Sequence, residues 1–143
     1  MYERILVPLD GSADAEAALP MALSLASRLH AELILLRVNE PIPNLPAGRY
    51  PESVEASARD YLARTAEPMV LRRLTVRTMV EYGDPAEVIP RLASELGTDL
   101  VVLAAGDGFR HRIPRGDAAR ILRRCVVPLL VVPAAAGTAR SRT

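Results

Sequence analysis

Asp10 closes an apolar run, in the segment Pro8-Leu9-Asp10-Gly11-Ser12, and a later stretch from Leu103 through Ala118 carries Gly106, Gly108 and Gly116. In these two places residue type and spacing favour binding chemistry. A carboxylate at the end of a strand either contacts a ligand or caps the helix that follows. Glycines let backbone N–H groups approach phosphate oxygens, and a helix starting just after Gly116 adds a favourable dipole. Arg110, Arg112 and Arg115 bring three guanidinium groups to the same loop, where they can hold a polyphosphate or stand in solvent. Asp117 works against them, because a carboxylate there can cap its own helix and repel phosphate.

Other chemistries are excluded by what the chain lacks. All eighteen cations are arginine, which removes a P-loop lysine, a Schiff base and a lysine general base. The single Cys125 permits no internal disulfide and reads as packing. His30 and His111 are too distant from each other to build a zinc cluster with it, so no metal site is expected. His30 suits a helix C-terminus and His111 a solvated loop. A net charge of +1 is too even for a nucleic-acid binder. No apolar run reaches ~18 residues, and the N-terminus has no signal-peptide pattern, so a cytoplasmic domain without a membrane contact is expected.

These candidate residues need a scaffold, and apolar runs of strand length alternating with helix-period segments supply one: a parallel sheet covered on both faces. Strands are expected at Arg4–Leu9, Leu33–Val38, Leu74–Glu81, Asp99–Ala104 and Leu129–Val132. The first helix takes Ser12 as N-cap and buries Ala15, Ala18, Leu19, Ala22, Ala26 and Leu29, with a kink at Pro20. A second helix runs from about Val54 to Ala66, where Tyr61 and Leu62 read as core. Asp84-Pro85-Ala86-Glu87 has the form of a capping box opening a third. That helix buries Val88, Ile89, Leu92, Ala93 and Leu96, kinks at Pro90 and stops at Gly97. A short helix covers about Asp117 to Arg124. The proline-rich loop from Asn39 to Pro51 has little core to join and is expected to be the most mobile internal region. Residues 1–133 form one domain, and 134–143 read as a disordered tail.

Taken together, Ile5-Leu6-Val7-Pro8-Leu9-Asp10-Gly11-Ser12, Leu35-Leu36-Arg37-Val38, Gly83-Asp84-Pro85-Ala86-Glu87-Val88-Ile89, Asp99-Leu100-Val101-Val102 and Pro128-Leu129-Leu130-Val131-Val132 resemble the universal stress protein family. The resemblance implies an α/β fold with an open five-stranded parallel sheet of order 3-2-1-4-5, helices on both faces, adenine-nucleotide alpha-hydrolase-like. It also implies a homodimer through the last strand, Leu129, Leu130, Val131 and Val132. One branch of the family binds ATP through G-x2-G-x9-G-[S/T] and a strand-end Asp. Asp10 matches that acid, and Pro8 and Val38 match positions flanking the adenine. With Gly116 as anchor, Gly106 falls on the second glycine, but Leu103 stands at the first and Asp117 at the Ser/Thr.

The function implied is a homodimeric, non-catalytic stress-response adaptor or chaperone-like factor with a degenerate nucleotide pocket, for ATP or AMP with Mg. The alternative is a genuine ATP-binding member with slow or no hydrolysis, for which no second carboxylate is evident to hold the metal. Enzyme readings fare worse. There is no H-x-G-H motif, no lysine for a phosphoacceptor receiver, and only one Phe and no Trp to stack on a flavin.

Overall fold

The structure is a computed structural model that describes residues 2–46, 49–105 and 117–134, with Asp117 placed by its backbone alone. Its elements run β1 (Arg4–Leu9), α1 (Ala13–Glu16), α2 (Leu19–Leu29), β2 (Glu32–Asn39), α3 (Glu52–Leu71), β3 (Val76–Tyr82), α4 (Pro85–Glu95), β4 (Leu100–Ala105), α5 (Asp117–Arg124) and β5 (Leu129–Pro133). The five strands form one parallel sheet in the order β3-β2-β1-β4-β5, as expected.

Strand residues alternate between two cores. Ile5, Val7, Leu33, Leu35 and Val102 pack against Ala22 and Ala26 of α2 and Leu62 and Met69 of α3. On the opposite face Leu6, Ile34, Leu36, Val101 and Leu103 meet Ile89 and Leu92 of α4 and Ala118 and Ile121 of α5. Burial of both faces explains why β1, β2 and β4 read as continuous apolar runs. The crossovers put α2 and α3 on one face while the chain winds from β1 out to β3. They put α4 and α5 on the other as it returns past β1 to β4 and β5. The winding reverses between β1 and β4, and the carboxyl ends of those two strands diverge there.

Several local expectations need correction. The first helix is two: Ser12 Oγ caps α1 by accepting from the Ala15 amide at 3.1 Å, and α2 starts afresh at Leu19 with Pro20 in its first turn. Pro20 therefore sits in the first turn of a helix, where its missing N–H costs nothing, and the kink expected there takes the form of a break between α1 and α2 just before it. Leu29 is 42% exposed, because α2 ends there with His30 as a left-handed cap (φ 55°). The second helix runs on to Leu71 through Pro68, since Ala58, Leu62, Ala66 and Met69 keep one stripe against the sheet. Strand β4 starts at Leu100; Asp99 turns aside to accept the Glu3 and Arg4 amides at 2.7 and 3.1 Å. Those bonds hold its carboxyl below the usual range.

Helix α4 follows its expectation more closely. Asp84 caps it, Pro90 lies inside it without ending it, and Gly97 (φ 65°) closes it. The closing bonds run from the Thr98 amide to the Ala93 carbonyl and from the Gly97 amide to the Ser94 carbonyl. Glu87 does not return to the Asp84 amide as a capping box requires; it pairs with Arg124 at 3.4 Å. Near the end of the loop after β2, Tyr50 is tied to the edge of the sheet. The Tyr50 ring packs on Tyr82 (centroids 4.3 Å apart) and its hydroxyl donates to the Asn39 carbonyl at 3.3 Å. Ala134, assigned to the tail, is buried; residues 135–143 lie outside the described residues. No helix among the described residues is long and apolar enough to cross a membrane.

Candidate functional site

At the carboxyl ends of β1, β2 and β4 lies a cleft of about 150 Å³. Pro8, Asp10, Val38, Leu103 and Ala118, singled out separately along the sequence, all line it. Strand periodicity brings them together: Val38 and Leu103 both point to the α4–α5 face, and Ala118 opens α5 above it. Gly106, Arg110, His111, Arg112, Arg115 and Gly116 lie outside the described residues, and for Asp117 only its place at the start of α5 is described.

Asp10 is shaped for two tasks. Its Oδ1 accepts from the Ser12 amide at 2.8 Å and from Ser12 Oγ at 2.5 Å, and so sets the turn that caps α1. The second carboxylate oxygen has no partner among the described residues. Gly11 makes the turn possible with φ 88°, and the Arg37 guanidinium lies so close that a Cβ at position 11 would stand 2.6 Å from Nη1. Arg37 also stacks over the Tyr61 ring at 5.4 Å, and the Tyr61 hydroxyl donates to Glu16 at 3.0 Å. Burial, together with that bond, pushes the Tyr61 phenol up to about 12. Tyr61, taken as plain core, is thus the prop of the Arg37 side chain.

Two further features escaped the sequence reading. Glu40, just past β2, lines the same cleft as Asp10, so a second carboxylate is present after all. Its position at the carboxyl end of a strand was the available signal. The other is a clamp between α4 and α5. Arg120 forks onto Asp84, with Nη2 at 2.6 Å from Oδ2 and Nη1 at 3.4 Å from Oδ1. Asp84 also accepts the Ala86 amide at 3.1 Å. Since Pro85, Ile89, Ala118 and Ile121 line the cleft, this pair fixes the two helices that wall it.

Arg120 holds the Asp84 carboxyl below its ordinary value of 3.8, with help from the Ala86 amide. Between the lowered folded value and 3.8 the unfolded chain binds more protons, so stability rises with pH across that window. The contribution is complete above the ordinary carboxylate range and disappears as pH falls through the lowered value. Asp84→Asn keeps the capping oxygen and loses the charge. Urea midpoints of parent and variant are therefore expected to differ at pH 6 and to converge towards pH 3. A constant gap across that range would contradict the assignment.

Comparison with known proteins agrees with this arrangement. The profile of the Universal stress protein family matches residues 1–133. The chain belongs to the universal stress protein family. A curated relative from Staphylococcus haemolyticus named for this family is 31% identical over 107 residues, which are 71% of this chain and 65% of the relative. The match thus spans just under two thirds of that relative's length. Among solved structures, a universal stress protein in complex with cAMP superposes with a TM-score of 0.67 at 22% identity, covering 93% of this chain and 98% of the other. A universal stress protein family member from Arabidopsis thaliana with AMP bound gives 0.69 at 16%, covering 92% and 91%. At such identities the likeness speaks for the fold alone, which this universal stress protein family member shares: a five-stranded parallel sheet of order 3-2-1-4-5 with helices on both faces.

Proposed function

We propose that the cleft binds an adenine nucleotide and that the chain is a homodimeric, non-catalytic adaptor or chaperone-like factor of the stress response. The observation that carries the reading is the meeting of Pro8, Asp10, Val38, Leu103 and Ala118 in one cleft at the reversal of winding. Apolar walls suit a flat base, and the unused Asp10 oxygen suits ribose hydroxyls. A cleft of about 150 Å³ is smaller than the ~300 Å³ at the low end for a fully enclosed ligand, so it takes the base and leaves the phosphates outside. That two structural relatives were solved with cAMP and AMP supports the same ligand class. The deciding experiment is mass spectrometry of ligand released from protein purified without added nucleotide, followed by ATP and AMP titration calorimetry with magnesium. Absence of both a co-purified and a titratable adenine nucleotide would refute the reading. Glu40, lining the same cleft as Asp10, favours a second one, an ATP-binding protein with slow or no hydrolysis in which these carboxylates would hold Mg; magnesium-dependent affinity lost in Glu40→Gln would support it.

Dimerisation rests on β5. It is the edge of the sheet, its backbone pairs on one side only with β4, and Val126 just before it is 84% exposed. An apolar edge of this kind is blunted by pairing with its twin. Val131 also packs into the α4–α5 core, so Val131→Arg would disturb folding as well as association. Val126→Arg is the cleaner change. Light scattering at tens of micromolar (order of magnitude) is expected to show a dimer for the parent and a weakened one for the variant, with unaltered thermal stability. A monomeric parent would remove the proposal.

A further inference from the structure

We propose that the groove between α2 and α3 is a second ligand site, taking an amphipathic carboxylate such as a medium-chain fatty acid anion. Two hollows of about 460 and about 500 Å³ lie along it and share Leu23 and Arg72, so they form one trough. The trough follows α2 from Leu19 to Ser27, about 12 Å, the length of an extended chain of roughly ten carbons. Leu19, Leu23 and Met69 provide apolar contact surface. Pro68, a residue that helix interiors exclude, adds a bare ring to the α3 wall between Arg64 and Arg72.

The charge at the groove selects the head group. Arg64 and Arg72 both line it, and neither has an ion-pair partner among the described residues, whereas Arg4, Arg77 and Arg124 have theirs. The one acid in the lining, Glu16, already accepts the Tyr61 hydroxyl at 3.0 Å. Arg64 and Arg72 stand about 12 Å apart along α3, so one guanidinium can meet the head of a carboxylate while the apolar trough covers its hydrocarbon chain. The groove lies on the α2–α3 face, across the sheet from Val38, Leu103 and Ile121 of the nucleotide cleft. The two share no lining residue, although Glu16 of the groove follows Ala15 of the cleft on α1, and the inference stands whatever the cleft binds.

The test is calorimetry with sodium decanoate below its micellar concentration, with decylammonium chloride as the charge-reversed probe. Decanoate is expected to bind saturably, at least tenfold more tightly than decylammonium, and equally well with and without ATP. In the Arg64→Gln, Arg72→Gln double variant, whose changes are on exposed side chains, decanoate affinity is expected to fall at least fivefold while the melting temperature holds. A Leu23→Glu variant blocks the trough itself and is expected to lose binding. No saturable binding by the parent, equal binding of decylammonium, or parent-like binding by the arginine variant would overturn the proposal. So would binding of an acidic amphipathic peptide in place of decanoate, which would make the groove a protein-docking surface.

Discussion

Replacing Leu103 with glycine is expected to cost about 3–5 kcal/mol of folding stability, far more than it could return in ligand affinity. Read from the family motif, Leu103 is an obstacle, a large side chain where glycine would leave room for the ribose. In the fold it is a member of the α4–α5 core, 5% exposed, on a strand paired to β5 at Val131. Glycine there removes a buried side chain, leaves a cavity and loosens the strand. At this chain length such a loss lowers Tm by roughly 10 °C or more, which differential scanning calorimetry reads directly. Asp117→Ser is the contrasting change. It puts a neutral hydroxyl at the first position of α5 and removes a negative charge near the proposed phosphate path, so ATP affinity is expected to rise several-fold with stability unchanged within about 1 kcal/mol. If Leu103→Gly melts like the parent, the packing role assigned to it is wrong.

The second large effect is expected at Asp10. A hydrogen bond to a charged acceptor is worth about 1.5–3 kcal/mol, so losing the carboxylate should weaken adenine-nucleotide binding by roughly ten- to a hundredfold. Asparagine and alanine separate the two tasks of this side chain. Asn keeps an oxygen for the Ser12 amide, so the cap on α1 survives and binding alone suffers. Ala releases Ser12 as well, and stability should fall by about 1 kcal/mol on top of the lost affinity. Titration calorimetry and urea unfolding of both variants make the comparison. Full nucleotide affinity in Asp10→Asn would show that this carboxylate serves the turn only.

Much of the scaffold was legible because it is written in local signals. Apolar runs marked the strands to within two residues, Asp84-Pro85 and Gly97 bounded α4, and Asp117–Arg124 was placed as it stands. Where periodicity competed with a residue's usual habit, the reading slipped. Pro20 marks a full break between α1 and α2 rather than a bend within one helix, and Met69 carries the α3 stripe past Pro68, beyond the end expected at Ala66. The site was less legible. Pro8, Asp10 and Val38 follow from the strand-end rule and the family pattern, but Glu40 was missed because its relevance depends on where the chain leaves β2. Arg120 on Asp84 and Arg37 against Gly11 join residues from different elements, and no local pattern announces such meetings.

The register of β1 with β4 has a consequence for synthesis. Ile5 pairs with Leu100, whereas its other neighbour, Leu33 of β2, is made much sooner. At ribosomal speeds of about 5–20 residues per second, the β4-facing edge of β1 waits roughly 5–20 s for its partner. Once Tyr82 is made, β1, β2 and β3 can pair as a half-sheet, and its β1 edge stays open until Leu100 and the rest of β4 follow. This is a surface for ribosome-associated chaperones and a template for edge-to-edge aggregation. A pause in translation before residue 100 would prolong the exposure, so codon choice in that stretch becomes a determinant of soluble yield that the finished fold conceals.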